Sequence, residues 1–227
     1  MPKPGQATVL VVELDSLICP FFHALLTQSE HDACARFIHQ KDRHGAQVMR
    51  GLARLCASVL AQRAPHELEL DRTPYGRPEI VGMDRDDCDF NVSRTGSCCA
   101  AILTRGARCG IDIEDADPTR VTADLIGQLW APGVDSERKL VTEDDFYRRW
   151  TQTEAALKAD GRGLNAGLDL VSFPDRVSSE RGECRIGPKT WYLRPIPMPV
   201  GVVASCAFDD ACAEIVQVAQ SQVWALI

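Results

Sequence analysis

The 227-residue chain lacks many of the features by which a sequence declares its class. No apolar run approaches the roughly 18 residues that span a bilayer, so no transmembrane helix is expected. Met1 to Val12 holds one Lys and a short apolar run without a small-residue cleavage pattern, and it reads as a first strand, not a signal peptide. No C-x-x-C pair occurs among the ten cysteines, although Cys98 and Cys99 are adjacent, and the five histidines are scattered. That spacing excludes a zinc site. Reduced thiols that pack in the core of a cytoplasmic protein are expected instead. Positive charge is also short. Lys and Arg number 25 against 32 Asp and Glu, a net charge of −7, which argues against a nucleic-acid or anionic-membrane binder. There is no P-loop, no G-x-S-x-G, no H-E-x-x-H, no G-x-G-x-x-G after a strand and no solenoid repeat.

The sequence does have a globular composition, 45% hydrophobic and 25% charged, and a length that suits one large domain or two small ones. Ala7–Leu14 predicts a buried strand. Ser29 to about Gln62 predicts a helix, with Val48, Leu52, Leu55 and Val59 on one stripe and Arg43, Gln47, Arg50 and Arg54 on another face. Glu67–Leu70 predicts a short strand, and Thr73–Pro78 a turn. Asp89–Ser93, Cys98–Thr104 and Arg108–Glu114 follow as strands, the last two as a hairpin. Helices are predicted over Val121–Trp130, stopped by Pro132, and over Glu143–Asp160, ended by Gly161 and Gly163. Leu168–Phe173, Thr190–Ile196 and Val200–Phe208 return to strand patterns, and the C-terminal segment fits strand or helix. This mixture lacks strict βαβ alternation and predicts an α+β fold. The order strand, long helix, strands occurs before residue 105 and loosely again after it.

Three constellations could carry chemistry. In Gly110-Ile111-Asp112-Ile113-Glu114, strand alternation turns Ile111 and Ile113 to a core and sets Asp112 and Glu114 side by side on the other face, about 6–7 Å apart at Cα. Such a pair suits a hard divalent cation; on alternation alone, an edge strand with a solvated acidic face is the commoner arrangement. Helical spacing puts Trp150, Glu154 and Lys158 on one stripe. On its own this also fits a surface ion pair, about 0.3–0.5 kcal/mol, beside a buried Trp. Arg77 in Tyr75-Gly76-Arg77-Pro78, and Ser93 and Arg94 in Phe90-Asn91-Val92-Ser93-Arg94-Thr95, could grip phosphate or be merely solvated.

The ordered run YGRP, FNVSRTG, GIDIE and FYRRWTQTEAALKADGRGL resembles the 4′-phosphopantetheinyl transferase superfamily of the Sfp type. Its pattern reads G-K-P, F-N-x-S-H-S, G-(V/I)-D-x-E and W-(S/T)-x-K-E-A-x-x-K-x-x-G-x-G-L. The resemblance runs from about Arg36 to Phe173. It implies a pseudo-dimer of two similar α+β subdomains, 1–104 and 105–227, with the active site in the cleft between them. It also implies transfer of 4′-phosphopantetheine from coenzyme A, the co-substrate, to a serine of an acyl, peptidyl or aryl carrier protein, with adenosine 3′,5′-bisphosphate as the other product. Asp112, Glu114 and Glu154 match carboxylates that bind Mg2+, and the residues do not distinguish Mg2+ from Mn2+. Glu154 also matches the general base, acting directly or through water. Lys158 matches the lysine that neutralises the pyrophosphate. Arg77 stands at the G-K-P lysine, and Ser93 and Arg94 at the Ser-His pair near the 3′-phosphate. A cytoplasmic monomer is implied, docking an acidic carrier through a local patch that includes Arg50 and Arg54.

Three departures qualify this resemblance. Arg94 replaces the histidine, Gly45 stands where many relatives carry an arginine downstream of Asp42, with His44 or Arg43 as substitutes, and Thr153 replaces the lysine of W-x-x-K-E. They motivate an alternative, a catalytically weakened member that binds coenzyme A or a carrier without efficient transfer. A metal-dependent phosphohydrolase using the same acidic cluster is a third reading.

Overall fold

The computed structural model describes residues 2–14, 19–129, 142–174, 182–211 and 214–226. The first strand, β1 (Gln6–Glu13), is apolar on both faces. Ala7 and Val9 point one way and Leu10 and Val12 the other, and all four are buried. Such a strand belongs in the middle of a layered structure. It lies between β5 (Cys98–Arg105), antiparallel, and the late strand β11 (Glu214–Val218), parallel, in a sheet ordered β11-β1-β5-β4, with β4 spanning Cys88–Arg94. A second sheet has the order β6-β10-β9-β8-β7. Its strands are β6 (Cys109–Asp115), β7 (Val171–Ser172), β8 (Gly182–Ile186), β9 (Lys189–Pro195) and β10 (Val202–Phe208). Leu70–Arg72 (β2) and Pro78–Ile80 (β3) form a separate small hairpin.

The two larger sheets pack through a shared core. Val9, Ala100 and Ile102 of the first meet Ile111, Ile113 and Phe208 of the second. The outer face of the first sheet is covered by α3 (Gln40–Ala61), whose Val48, Leu52, Leu55 and Val59 stripe is buried as the periodicity predicts, and α1 (Cys19–Ala24) packs on α3. Two further helices are α2 (Gln28–Ala35) and α4 (Ala123–Leu129). The outer face of the second sheet is covered by α5 (Glu143–Asp160), through Ala155, Ala156 and Ala159. α5 starts at a capping box of Thr142 and Asp145 and stops at Gly161, whose φ of 104° suits only glycine well.

Several sequence expectations are corrected. The helix predicted over Ser29–Gln62 is two helices, α2 and α3, folded against each other. Glu30 and Arg54, 24 residues apart, form a 2.5 Å ion pair, whereas one continuous helix would separate them by about 36 Å. Arg54 is 4% exposed and also donates to the Pro65 and Leu68 carbonyls, so it is a tie inside the fold and not part of a docking face. β5 and β6 do not form a hairpin. Both edges of β5 are already taken by β1 and β4, so the chain crosses to the other sheet after Arg105. The strand expected over Glu67–Leu70 is a short 3-10 turn, Pro65–Glu67, before β2. Over Leu168–Phe173 a 3-10 turn, Leu168–Leu170, precedes the two-residue β7. The helix expected over Val121–Trp130 is present as α4, while Trp130 and Pro132 lie outside the described residues. Cys34, Cys56, Cys88, Cys98, Cys99, Cys109, Cys184 and Cys206 are buried, as expected of packing residues.

Gly110 sets the spacing between β6 and α5. A Cβ there would stand 2.2 Å from the Ala155 carbonyl oxygen and 2.5 Å from the Ala159 nitrogen, both backbone atoms that cannot swing aside. Gly110→Ala is therefore expected to destabilise the protein by roughly 1–3 kcal/mol, read as a lower denaturant midpoint at unchanged m-value. An unchanged midpoint would contradict this packing.

Candidate functional site

β4 carries polar residues on the face turned to the second sheet, at alternate positions: Asp89, Asn91 and Ser93, all buried. Each reaches β6, an edge strand whose outward N–H groups have no strand partner. Asp89 Oδ2 accepts from the Cys109 N–H at 3.0 Å, and Asn91 Oδ1 from the Ile111 N–H at 3.0 Å. The Ser93 hydroxyl donates to Asp112 Oδ1 at 3.0 Å. These bonds satisfy the edge and fix the register of β6 against β4.

Ile111 and Ile113 face the core, and Asp112 and Glu114 face α5. Glu154 on α5 completes a cluster in which one oxygen from each carboxylate lies within 4.8 Å of the others. Lys158, one turn further along α5, places Nζ 2.5 Å from Asp112 Oδ1, 3.0 Å from Ser93 Oγ and 3.8 Å from Glu154. The half-buried Trp150 stacks near Phe146 and donates Nε1–H to Glu114 Oε1 at 3.1 Å, so the aromatic end of the stripe orients a carboxylate as well as packing.

Burial, and then the neighbouring Asp112, raise the pKa of Glu154 to about 7, and the same two causes raise Glu114. Burial works against the Lys158 charge, but Asp112 and Glu154 outweigh it and its pKa rises. Three carboxylates against one ammonium leave the cluster short of positive charge. Asp112 is 3% exposed, and its Oδ2 is buried without a hydrogen-bond partner. An all-oxygen donor set at this separation, with one orphaned carboxylate oxygen, fits Mg2+ or Mn2+.

Glu154 and Lys158 open onto a cavity of about 740 Å³ bounded by α2, α3, the β2–β3 turn, β4 and the end of α5. Arg50, Arg72, Arg77 and Arg94 also line it, against Glu30, Asp71 and Glu154. It is thus a cationic hollow in an acidic chain, with Met49, Tyr75 and Leu164 supplying apolar wall.

The predicted phosphate-gripping residues are placed differently from one another. Arg94 lies at the cavity with a loose tie to Asp42, 3.8 Å between the charged groups. Arg77 also lines the cavity, but its terminal nitrogens donate to Asp89 Oδ1, to the Phe90 and Cys109 carbonyls and to the Lys158 carbonyl; only its buried Nε has no partner. Ser93 is not among the lining residues and acts between Lys158 and Asp112.

Two of the sequence departures are one spatial event. A Cβ on Gly45 would fall 1.9 Å from Arg94 Nη1, so the missing side chain at 45 makes the room that the arginine at 94 fills. Neither Arg43 nor His44 lines the cavity. Thr153 is 2% exposed, donates to the Arg149 carbonyl and is absent from the cavity wall. Sequence reasoning missed Asp89 and Arg85. The available signal was a lone Asp opening a strand otherwise read for its FNVS motif.

Comparison with known proteins finds similarity to one kind of enzyme. A family model described as "4'-phosphopantetheinyl transferase, N-terminal" matches residues 19–104. A putative 4′-phosphopantetheinyl transferase of Synechocystis is 27% identical over 177 residues, 75% of this chain and 70% of that protein. The 4′-phosphopantetheinyl transferase Sfp of Bacillus subtilis is 26% identical over 155 residues, 66% of this chain and 67% of Sfp. The 4′-phosphopantetheinyl transferase HetI of Nostoc is 25% identical over 234 residues, 96% of this chain and 93% of HetI.

The raised Glu154 pKa has a testable sign. Between the ordinary 4.5 and about 7 the folded state holds a proton that the unfolded chain releases, so this group's contribution to stability falls as pH rises through that window. A cation that replaces the proton stabilises most above it. Mg2+ is therefore expected to raise the thermal midpoint more at pH 8 than at pH 6. Glu154→Gln should raise the cation-free midpoint at pH 8 and shrink the Mg2+ effect. Equal Mg2+ shifts in both proteins would place the cation elsewhere.

Proposed function

We propose, from the premise that this chain belongs to the 4′-phosphopantetheinyl transferase superfamily, that it is a Mg2+-dependent enzyme of the Sfp type. It transfers 4′-phosphopantetheine from coenzyme A to a serine of an acyl, peptidyl or aryl carrier protein. The observation that carries this reading is that Glu154 and Lys158 line one cavity with Arg94, while Glu154 also meets Asp112 and Glu114 and Lys158 meets Asp112. The two halves of the proposed pseudo-dimer are 1–104 and 105–227, with β11 returning to the first sheet.

Asp112, Glu114 and Glu154 would hold Mg2+, which when bound neutralises charge on the pyrophosphate as its P–O bond breaks. Lys158 adds an ammonium at the same place, held by Asp112 and Ser93 while no phosphate competes. Arg94, tied only loosely to Asp42, offers the 3′-phosphate a guanidinium at the wall. Arg77 adds charge from beneath, and Ser93 steers Lys158.

The carrier serine oxygen attacks the phosphorus next to pantetheine and forms the new phosphodiester. The bond to adenosine 3′,5′-bisphosphate breaks, and the serine proton passes to Glu154. A carboxylate whose proton affinity lies near neutrality suits that role. The buried, non-lining position of Thr153 supports an active enzyme, because the changed residue lies away from the wall where coenzyme A would sit.

With coenzyme A, Mg2+ and a panel of apo-carrier proteins, intact mass should report addition of one phosphopantetheine group. Glu154→Gln should retain the fold and lose at least about a hundredfold in rate. No modification of any carrier, or full activity in Glu154→Gln, would contradict the proposal.

A further inference from the structure

Asp89 receives far more hydrogen bonds than a carboxylate at a strand start needs. It is 3% exposed and accepts from Arg77 Nη2 at 2.7 Å, from Arg85 Nε at 3.1 Å and Nη2 at 2.9 Å, and from the N–H groups of Phe90 and Cys109 at 3.0 Å each. Both arginines continue to the same place. Arg77 Nη1 donates to the Lys158 carbonyl at 2.5 Å, and Arg85 Nη2 to the Ala159 carbonyl at 3.0 Å.

These carbonyls belong to the last turn of α5, where helix geometry leaves them without backbone donors. The Leu157 carbonyl is closed by the Gly161 N–H at 3.1 Å, and the next two by guanidinium groups. Positive charge at a helix C-terminus is also favoured by the aligned peptide dipoles. Gly161 leaves room for this arrangement, since a Cβ there would stand 2.8 Å from Arg85 Nη1. One buried carboxylate thus ties β6 through the Cys109 N–H and α5 through two arginines. Asp112 lies three residues along the first element, and Lys158 lies in the clamped turn of the second.

We propose that Arg85, anchored on Asp89, is a positioning residue that fixes the last turn of α5 and thereby holds the Lys158 ammonium at the site. The kinetic part of this inference rests on the reading in which Lys158 neutralises the pyrophosphate. Arg85 is not among the residues lining the cavity, so its effect passes through the helix end and not through a contact with coenzyme A. Arg77 is the poorer probe because it lines the cavity and is buried.

The test compares Arg85→Met with Arg85→Lys in the full-length protein. In the absence of coenzyme A, amide hydrogen exchange over Leu157–Asp160 should quicken about tenfold in Arg85→Met while the β1 and β5 amides stay unchanged. Unchanged exchange in that turn overturns the proposal. In transfer assays Arg85→Met should lower kcat about tenfold and move the KM for coenzyme A less than about twofold, with partial recovery in Arg85→Lys. A lower thermal midpoint with unchanged kcat per folded molecule also overturns it. If the wild type transfers nothing, the functional reading fails, and the exchange contrast alone still decides whether Arg85 sets the helix end.

Discussion

The arrangement depends on one constraint: β6 is an edge strand whose outward N–H groups must find acceptors, and β4 supplies them from side chains. Asp89 and Asn91 close the Cys109 and Ile111 N–H groups, and Ser93 reaches Asp112. A backbone ladder would have made one continuous sheet. Side-chain stitching keeps two sheets packed face to face and still fixes their register. It also leaves the even-numbered residues of β6 facing α5, with Gly110 allowing the helix backbone to come close. The meeting of Asp112, Glu114, Glu154 and Lys158 follows from those two contacts.

Much of this was legible in the residues. Alternation in GIDIE separated a core face from an acidic face, and helical spacing placed Trp150, Glu154 and Lys158 on one stripe; the folded chain brings the two together. The elements with long, regular patterns, β1 and α5, match their predicted ranges to within a residue. What failed was what depends on partners distant in sequence. The α2–α3 break is enforced by Glu30 meeting Arg54, and no local propensity marks it. The hairpin reading of β5 and β6 failed because a short connection says nothing about whether both edges of a strand are already occupied. Arg77 was read as a phosphate ligand, and its terminal nitrogens prove to be engaged with protein acceptors, a distinction that needs Asp89 in three dimensions.

Charge is distributed with the same economy of position. The chain carries a net −7, yet the cavity wall gathers four arginines and Lys158. The acidic excess sits partly behind that wall, in a triad whose mutual repulsion and burial push Glu154 toward neutrality. A cavity whose wall carries more cations than carboxylates, and whose Glu154 belongs to a three-carboxylate cluster, suits a polyanion held together with a divalent cation. The absence of a side chain at Gly45 leaves the room that the Arg94 guanidinium occupies at that wall.

The most direct test of the account is a crystal structure of the protein soaked with coenzyme A and Mn2+, with the cation located by anomalous scattering. The account predicts a single strong peak among Asp112, Glu114 and Glu154, with the pyrophosphate beside Lys158. A cation bound away from the three carboxylates, or coenzyme A bound outside the cavity, would contradict it.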